Sequence, residues 1–151
     1  MSSPIINTER LTALVTTKQQ VLEILVQLSR QQLALISAGD MTTLLKLLAG
    51  KQTVMNQLQI IERELAPFRD EDPDQRVWNS PSHRAACQAR AQQCNTLLAD
   101  AMELERQAES AMHERRNSTA AALTALQAGA SAKAAYDSIP PTLLASLHVE
   151  G

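Results

Sequence analysis

The chain is poor in aromatic residues, with one Phe, one Trp and one Tyr among 151 residues. An enzyme of this length normally builds its core around several aromatic side chains, because each of them buries a large area in one place. Here aliphatic residues recur instead at helical spacing from Leu11 to Leu126. Such spacing is typical of long helices that pack along a seam. It favours an elongated helical protein that holds other proteins over a protein built around a pocket.

Glycine is also scarce, with four residues in the whole chain, which argues against backbone loops that cradle phosphate groups. The sequence contains no nucleophile elbow and no paired Glu-x-x-His motifs of the di-iron kind. His83, His113 and His148 stand apart from other ligand-type residues, so we interpret them as solvated. We therefore expect no enzymatic activity, no cofactor and no metal site. The alternative, an enzyme with an unrecognised site in a helical bundle, predicts a bound metal or cofactor.

Long apolar runs and clusters of basic residues are missing too. Polar residues interrupt every apolar stretch before it reaches the roughly 20 residues that a membrane span requires, and MSSPIINTER does not have the pattern of a secretory signal. The formal net charge is -2, without the basic face that nucleic-acid binding requires. We expect a cytoplasmic protein that neither inserts into membranes nor binds nucleic acid.

The two cysteines, Cys87 and Cys94, are seven residues apart, which corresponds to about 10.5 Å along a helix. That separation is too large for a disulfide within one helix. We predict that both are small apolar residues on a packed helix face.

Turn and capping signals divide the chain into three helices. Asn7 or Thr8 is the expected cap of the first, and Gly39 followed by Asp40 predicts a short break between antiparallel neighbours. Pro67 is expected to end the second helix. The predicted ranges are about 7–37, 41–66 and 81–128.

A polar connection links the second and third helices. It contains an acidic run without the glycine and glutamate offsets of an EF-hand, so a solvated loop is the preferred interpretation. Phe68 and Trp78 are expected to cover the end of the helical hairpin. Ser80 and Pro81 have the capping hydroxyl and first-turn proline of a helix start, and the next strong breaker is Gly129.

The predicted fold is all-α: an elongated antiparallel helical hairpin plus a long third helix, forming a three-helix bundle of coiled-coil character over residues 1–128. Residues 129–151 are predicted to form a flexible C-terminal segment with a short amphipathic helix beyond Pro140 and Pro141. That helix either docks on a partner or folds back as a cap. The third helix is longer than its neighbours can cover, so its distal part needs a partner: a second copy in a homodimer, or another protein.

Two stretches resemble the FlgN family of bacterial flagellar export chaperones. The first is LALISAGDMTTLLKLLAGKQTVMNQLQIIE, with a Gly-Asp turn, leucines three or four apart and a lysine before another leucine-rich turn. The second is RRNSTAAALTALQAGASAKAAY, where Asn117, Leu123, Leu126 and Tyr136 match the closing pattern of that family.

The resemblance implies a cytoplasmic chaperone for hook-associated proteins. It would bind their helical C-terminal segments, prevent premature assembly and deliver them to the export gate. The export ATPase complex is a further partner that the resemblance suggests. A tyrosine near this end would contact the export machinery, and Tyr136 is the only tyrosine. The predicted partner-binding residues lie in the distal third helix and the tail: Leu123, Leu126, Tyr136, Ile139, Leu143, Leu144 and Leu147.

Two further functions fit the same pattern. One is a FliT-like chaperone for the filament cap, although that group is generally shorter. The other is a self-associating coiled-coil scaffold, which would use its whole apolar stripe in a homo-oligomer.

Overall fold

The computed structural model describes residues 4–138, and this part of the chain is helical with no strand. The helices are α1 (Pro4–Ala38), α2 (Met41–Arg69) and α3 (Pro81–Asp137), and a single 3₁₀ turn (Pro73–Gln75) lies in the connection before α3. The all-α prediction with a long third helix is confirmed. None of the described helices has an apolar stretch long enough to cross a lipid bilayer.

The turn between α1 and α2 forms as the sequence predicts. Gly39 has a φ of 75°, in the left-handed region where a residue without a Cβ is favoured. Asp40 caps α2 by accepting a hydrogen bond from the backbone N–H of Thr43 at 3.1 Å. Hydrogen bonds from the hydroxyl and the backbone N–H of Thr43 lower the pKa of Asp40.

Three predicted helix ends are wrong. α1 begins at Pro4, so Asn7 and Thr8 lie inside the helix rather than at its cap. α2 continues through Pro67 to Arg69. Phe68, the residue after Pro67, is buried in the core. α3 continues through Gly129 to Asp137, because a glycine in an alanine-rich helix costs only about 1 kcal/mol.

The predicted start of α3 is confirmed. The Oγ of Ser80 accepts a hydrogen bond from the backbone N–H of His83 at 3.2 Å, and Pro81 is the first helical residue. Proline is favoured at that position because its missing N–H would have no partner within the helix.

The structure divides between Ala111 and Met112 into two units. We call the described parts of these units the bundle unit (residues 4–111) and the distal unit (residues 112–138). The bundle unit has a continuous apolar core made by one face of each helix, with Leu22 fully buried. The most buried aliphatic members are Leu11, Val15, Val21, Leu22, Leu25, Val26, Ile61 and Leu65.

α3 contributes small residues to this core. Cys87 and Cys94 are both free thiols and both buried, as the sequence predicts. Burial raises the pKa of the Cys94 thiol, which keeps it in the neutral form. A second, smaller cluster around Ile36, Leu44 and Ala108 lies near the α1–α2 turn.

The connection before α3 is held against the start of α1. The Oγ of Thr8 lies 2.7 Å from the carbonyl oxygen of Val77, and Asn79 donates to Glu9 at 3.2 Å. Phe68 is buried in the core cluster, and Trp78 packs against that cluster. The prediction that these aromatics cover this end of the hairpin is confirmed.

Candidate docking surfaces

The distal unit has no buried residue. Every residue from Met112 to Ser138 is exposed, including Leu123 (55% exposed), Leu126 (69%) and Tyr136 (59%). Exposed leucines on a helix leave apolar area in water that a partner would cover at about 25 cal/mol per Å². These three predicted site residues therefore lie on accessible surface.

The three residues do not form one patch. Leu123 and Leu126 are three residues apart and share a helix face, whereas Tyr136 lies about 80° around the helix from Leu126. The leucine pair and the tyrosine are therefore available to two different contacts. The other predicted site residues, Ile139, Leu143, Leu144 and Leu147, lie outside the described residues.

The charge pattern of the distal unit is unusual for an exposed helix. Residues 117–132 contain no Asp, Glu, Lys or Arg, and seven of these 16 residues are alanine. Exposed helices normally carry charged residues on their solvated face. A helix of small uncharged residues can approach another surface closely and loses little hydration when it is covered.

The bundle unit has a second apolar surface, an open groove between α2 and α3. Its volume is 490 Å³. Leu25 and Ser29 of α1 line it together with residues of α2 and α3, and both are buried. The apolar lining consists of Leu25, Leu48, Met55, Leu58, Leu98, Ala101 and Met102.

Large apolar side chains lie partly in solvent at this groove. Met102 is 66% exposed, Met55 42%, Leu98 39% and Leu48 37%. Methionine adapts its shape to different partners because its side chain is unbranched and flexible. The groove thus presents an adaptable apolar surface on two helices.

A polar contact between the three helices lies in the same groove. Lys51 is buried, donates to Gln32 Oε1 at 2.8 Å and forms an ion pair with Glu105. These contacts neutralise the charges among the groove residues. Ser29 is 1% exposed, and its Oγ has no hydrogen-bond partner within the described part of the chain.

Sequence reasoning missed the groove. The helical spacing assigns Leu48, Met55 and Leu98 to the packed faces of their helices, yet all three lie at the groove. Helical spacing identifies the side of a helix that is apolar, but it does not give the distance to the neighbouring helix. A sequence signal of this interruption is Lys51, a charged residue between the apolar positions Leu48 and Met55 of α2.

The acidic connection forms local contacts. Asp72 caps the 3₁₀ turn by accepting from the N–H of Asp74 at 3.0 Å, and Arg84 pairs with Asp74 at 3.3 Å. Between residues 4 and 138, no three His, Cys, Asp or Glu side chains converge in an arrangement that would hold a metal ion. Among the described residues, the exposed large apolar side chains are those that a partner would most favourably cover. The surfaces they form are suited to the docking of another helix.

Comparisons with known proteins give no match for this chain among family models, curated proteins or solved structures.

Proposed function

We propose that this protein is a flagellar export chaperone that binds the C-terminal helical segments of hook-associated proteins. The observation that carries the proposal is the exposure of Leu123 and Leu126 on a helix without a single buried residue between Met112 and Ser138. An amphipathic client helix also exposes an apolar stripe before assembly. Burying one stripe against the other protects the client without ATP.

The energetics suit reversible capture. Each leucine that is fully buried contributes about 1.5–3 kcal/mol, and ordering a client segment costs part of this gain. Two leucines therefore contribute about 3–6 kcal/mol before these costs, and contacts of the flanking alanines add to a weak complex that dissociates when the client is delivered. Tyr136, on another face of the helix, remains accessible to the export gate or to the export ATPase complex.

The resemblance to the FlgN family supports the choice of client. It rests on Asn117, Leu123, Leu126 and Tyr136 at the end of α3 and on the leucine-rich hairpin around Gly39. Asn117 and the other three matching residues at the end of α3 all belong to the distal unit, where each of them is exposed.

Binding of synthetic peptides tests the proposal. The probes are the C-terminal helical segments of the hook-associated proteins of the same genome, and affinity is measured by fluorescence anisotropy. The L123K/L126K double variant should lose at least about 100-fold in affinity, because it places two charges in an apolar contact. The matched control is A121K, which places a lysine on the opposite face of the same helix segment and should bind like the wild type.

Circular dichroism and thermal melting establish that each variant remains helical. Equal peptide binding by the wild type and the double variant would contradict a docking site at the leucine pair. If none of the hook-associated peptides binds, the proposal that hook-associated proteins are the clients is contradicted.

A further inference from the structure

We propose that the chain forms an antiparallel homodimer in which the distal unit of each copy lies in the α2–α3 groove of the other copy. Within residues 4–138, two surfaces are open to solvent: the groove, and the leucine face of the distal unit. If the two copies exchange their distal units, each distal unit fills the groove of the other copy. The two contacts are identical and related by two-fold symmetry, and together they cover both surfaces of both copies.

In the sequence of α3, positions at alternating steps of four and three residues include members of both surfaces. These steps run from Leu98 to Leu126 and correspond to the average spacing of 3.5 residues at which helices pack along a seam. The apolar members are Leu98 and Met102 in the groove, then Met112, and then Leu123 and Leu126 in the distal unit. All five are more than a third exposed.

The charges on this seam select the direction of pairing. In an antiparallel pair centred on Met112, residues nearly equidistant from Met112 meet, which places Glu109 of one copy beside Arg116 of the other. Leu98 then meets Leu126, and Met102 meets Leu123. A parallel pair would instead place Glu109 against Glu109 and Arg116 against Arg116, and like charges in contact are destabilising.

The groove suits the proposed occupant. Among the described residues that line it, the charged ones are Lys51 and Glu105, which neutralise each other, and residues 117–132 bring no charge. The seven alanines allow this helix to approach closely, so that it also contacts Leu48 and Met55 of α2.

The expected contact is of modest size. A docked segment of 16 residues is about 24 Å long. If a third of the surface of each segment is covered, the two segments and the two grooves together bury on the order of 1,000 Å². That area is at the lower end for specific interfaces and predicts a reversible dimer. The dimer would cover Leu123 and Leu126, so a client and a second copy would compete, a consequence that rests on the proposed function.

Sedimentation of the full chain without client tests the pairing. We expect a concentration-dependent monomer–dimer equilibrium. E109R and R116E should each raise the dissociation constant at least about tenfold, and the E109R/R116E double variant should restore it to within about threefold of the wild type. The control I60K changes an exposed residue of α2 that is not part of the groove, and it should leave the equilibrium unchanged.

Engineered disulfides test the register. M112C should cross-link two copies under mild oxidation, whereas A121C, on the opposite helix face, should not. A mixture of one tagged copy with L98C and another with L126C should form the mixed disulfide, detected by mass spectrometry. Cys87 and Cys94 remain in place because both are buried.

A monomer at all concentrations would overturn the proposal, as would a dimer unaffected by E109R. Disulfides of L98C with L98C, rather than with L126C, would show parallel pairing and also overturn it. None of these measurements contains a client, so their failure is separate from a failure of peptide capture. If the dimer forms as proposed, a hook-associated peptide that binds the leucine pair should raise its dissociation constant.

Discussion

The bundle unit and the distal unit use the same apolar residues with opposite results. Leu22 in α1 is 0% exposed and Leu126 in α3 is 69% exposed, although both lie in leucine patterns at helical spacing. The difference lies in the packing: α1 packs against α2 and α3, whereas every described residue of the distal unit is exposed. An apolar pattern therefore indicates a contact surface, and only the packing decides whether the cover comes from the same chain.

The comparison predicts that one substitution has very different effects in the two units. L22A should destabilise the chain by about 3–5 kcal/mol because it leaves a cavity in the core. At a concentration where the chain is monomeric, L126A should change the free energy of unfolding by less than about 0.5 kcal/mol because the side chain is exposed. Urea denaturation followed by circular dichroism measures both. Similar losses for the two variants would show that Leu126 is packed.

A smaller effect is expected at the polar contact between the three helices of the bundle unit. K51M removes the donor to Gln32 and the cation beside Glu105, and it leaves the buried amide oxygen of Gln32 without this partner. We expect a loss of about 1–3 kcal/mol in stability. K46M, at an exposed position of the same helix, is the matched control and should be neutral. If both variants denature at the same urea concentration, the buried contact does not stabilise the bundle.

Glycine substitutions sharpen the comparison further. A Cβ at Gly50 or at Gly129 would meet nothing within 4 Å, and both residues are helical. G50A should raise the free energy of unfolding of the bundle unit by about 0.5–1 kcal/mol. G129A should instead slow amide hydrogen exchange around residue 129 without shifting the urea midpoint of the core. A midpoint shift of equal size in both variants would mean that the two units unfold together.

The smallest expected effect is on acid stability. Burial by itself raises the pKa of Glu62, but hydrogen bonds and charge from Lys18 and Arg69 lower it overall. A lowered pKa contributes stability above the unfolded value of about 4.3, and this contribution is lost as the pH falls through the folded pKa. E62Q should therefore cost less than about 1 kcal/mol at pH 7 and nothing once the wild-type carboxylate is protonated. A cost that does not fall as the pH is lowered from 7 into the acid range would contradict an electrostatic origin.

Local signals in the sequence predict most of the fold. The glycine and aspartate at 39 and 40 and the serine and proline at 80 and 81 correctly predict the turn and the start of α3, because each of these residues acts on its own backbone. The sequence predicts that α3 ends near residue 128, before Gly129, and this is wrong because the surrounding alanines favour a helix enough to accommodate a single glycine. α2 also continues past Pro67, although a proline within a helix removes a backbone hydrogen bond. The next residue, Phe68, is buried in the core.

The candidate site is less accessible to prediction. Leu123, Leu126 and Tyr136 were predicted from the sequence and lie on exposed surface, while the groove beside Met55 and Met102 was not predicted at all. A groove depends on how far apart two helices lie. That distance follows from the combined volume of many side chains and not from the pattern of any one helix.

Hydrogen exchange of the full chain, with and without a hook-associated C-terminal peptide, tests the central claim most directly. The chain is used at a concentration where it is monomeric, and exchange is followed by mass spectrometry. The account predicts slower exchange across residues 112–137 when the peptide is added. Unchanged exchange in this segment with a saturating peptide would contradict a docking surface on distal α3.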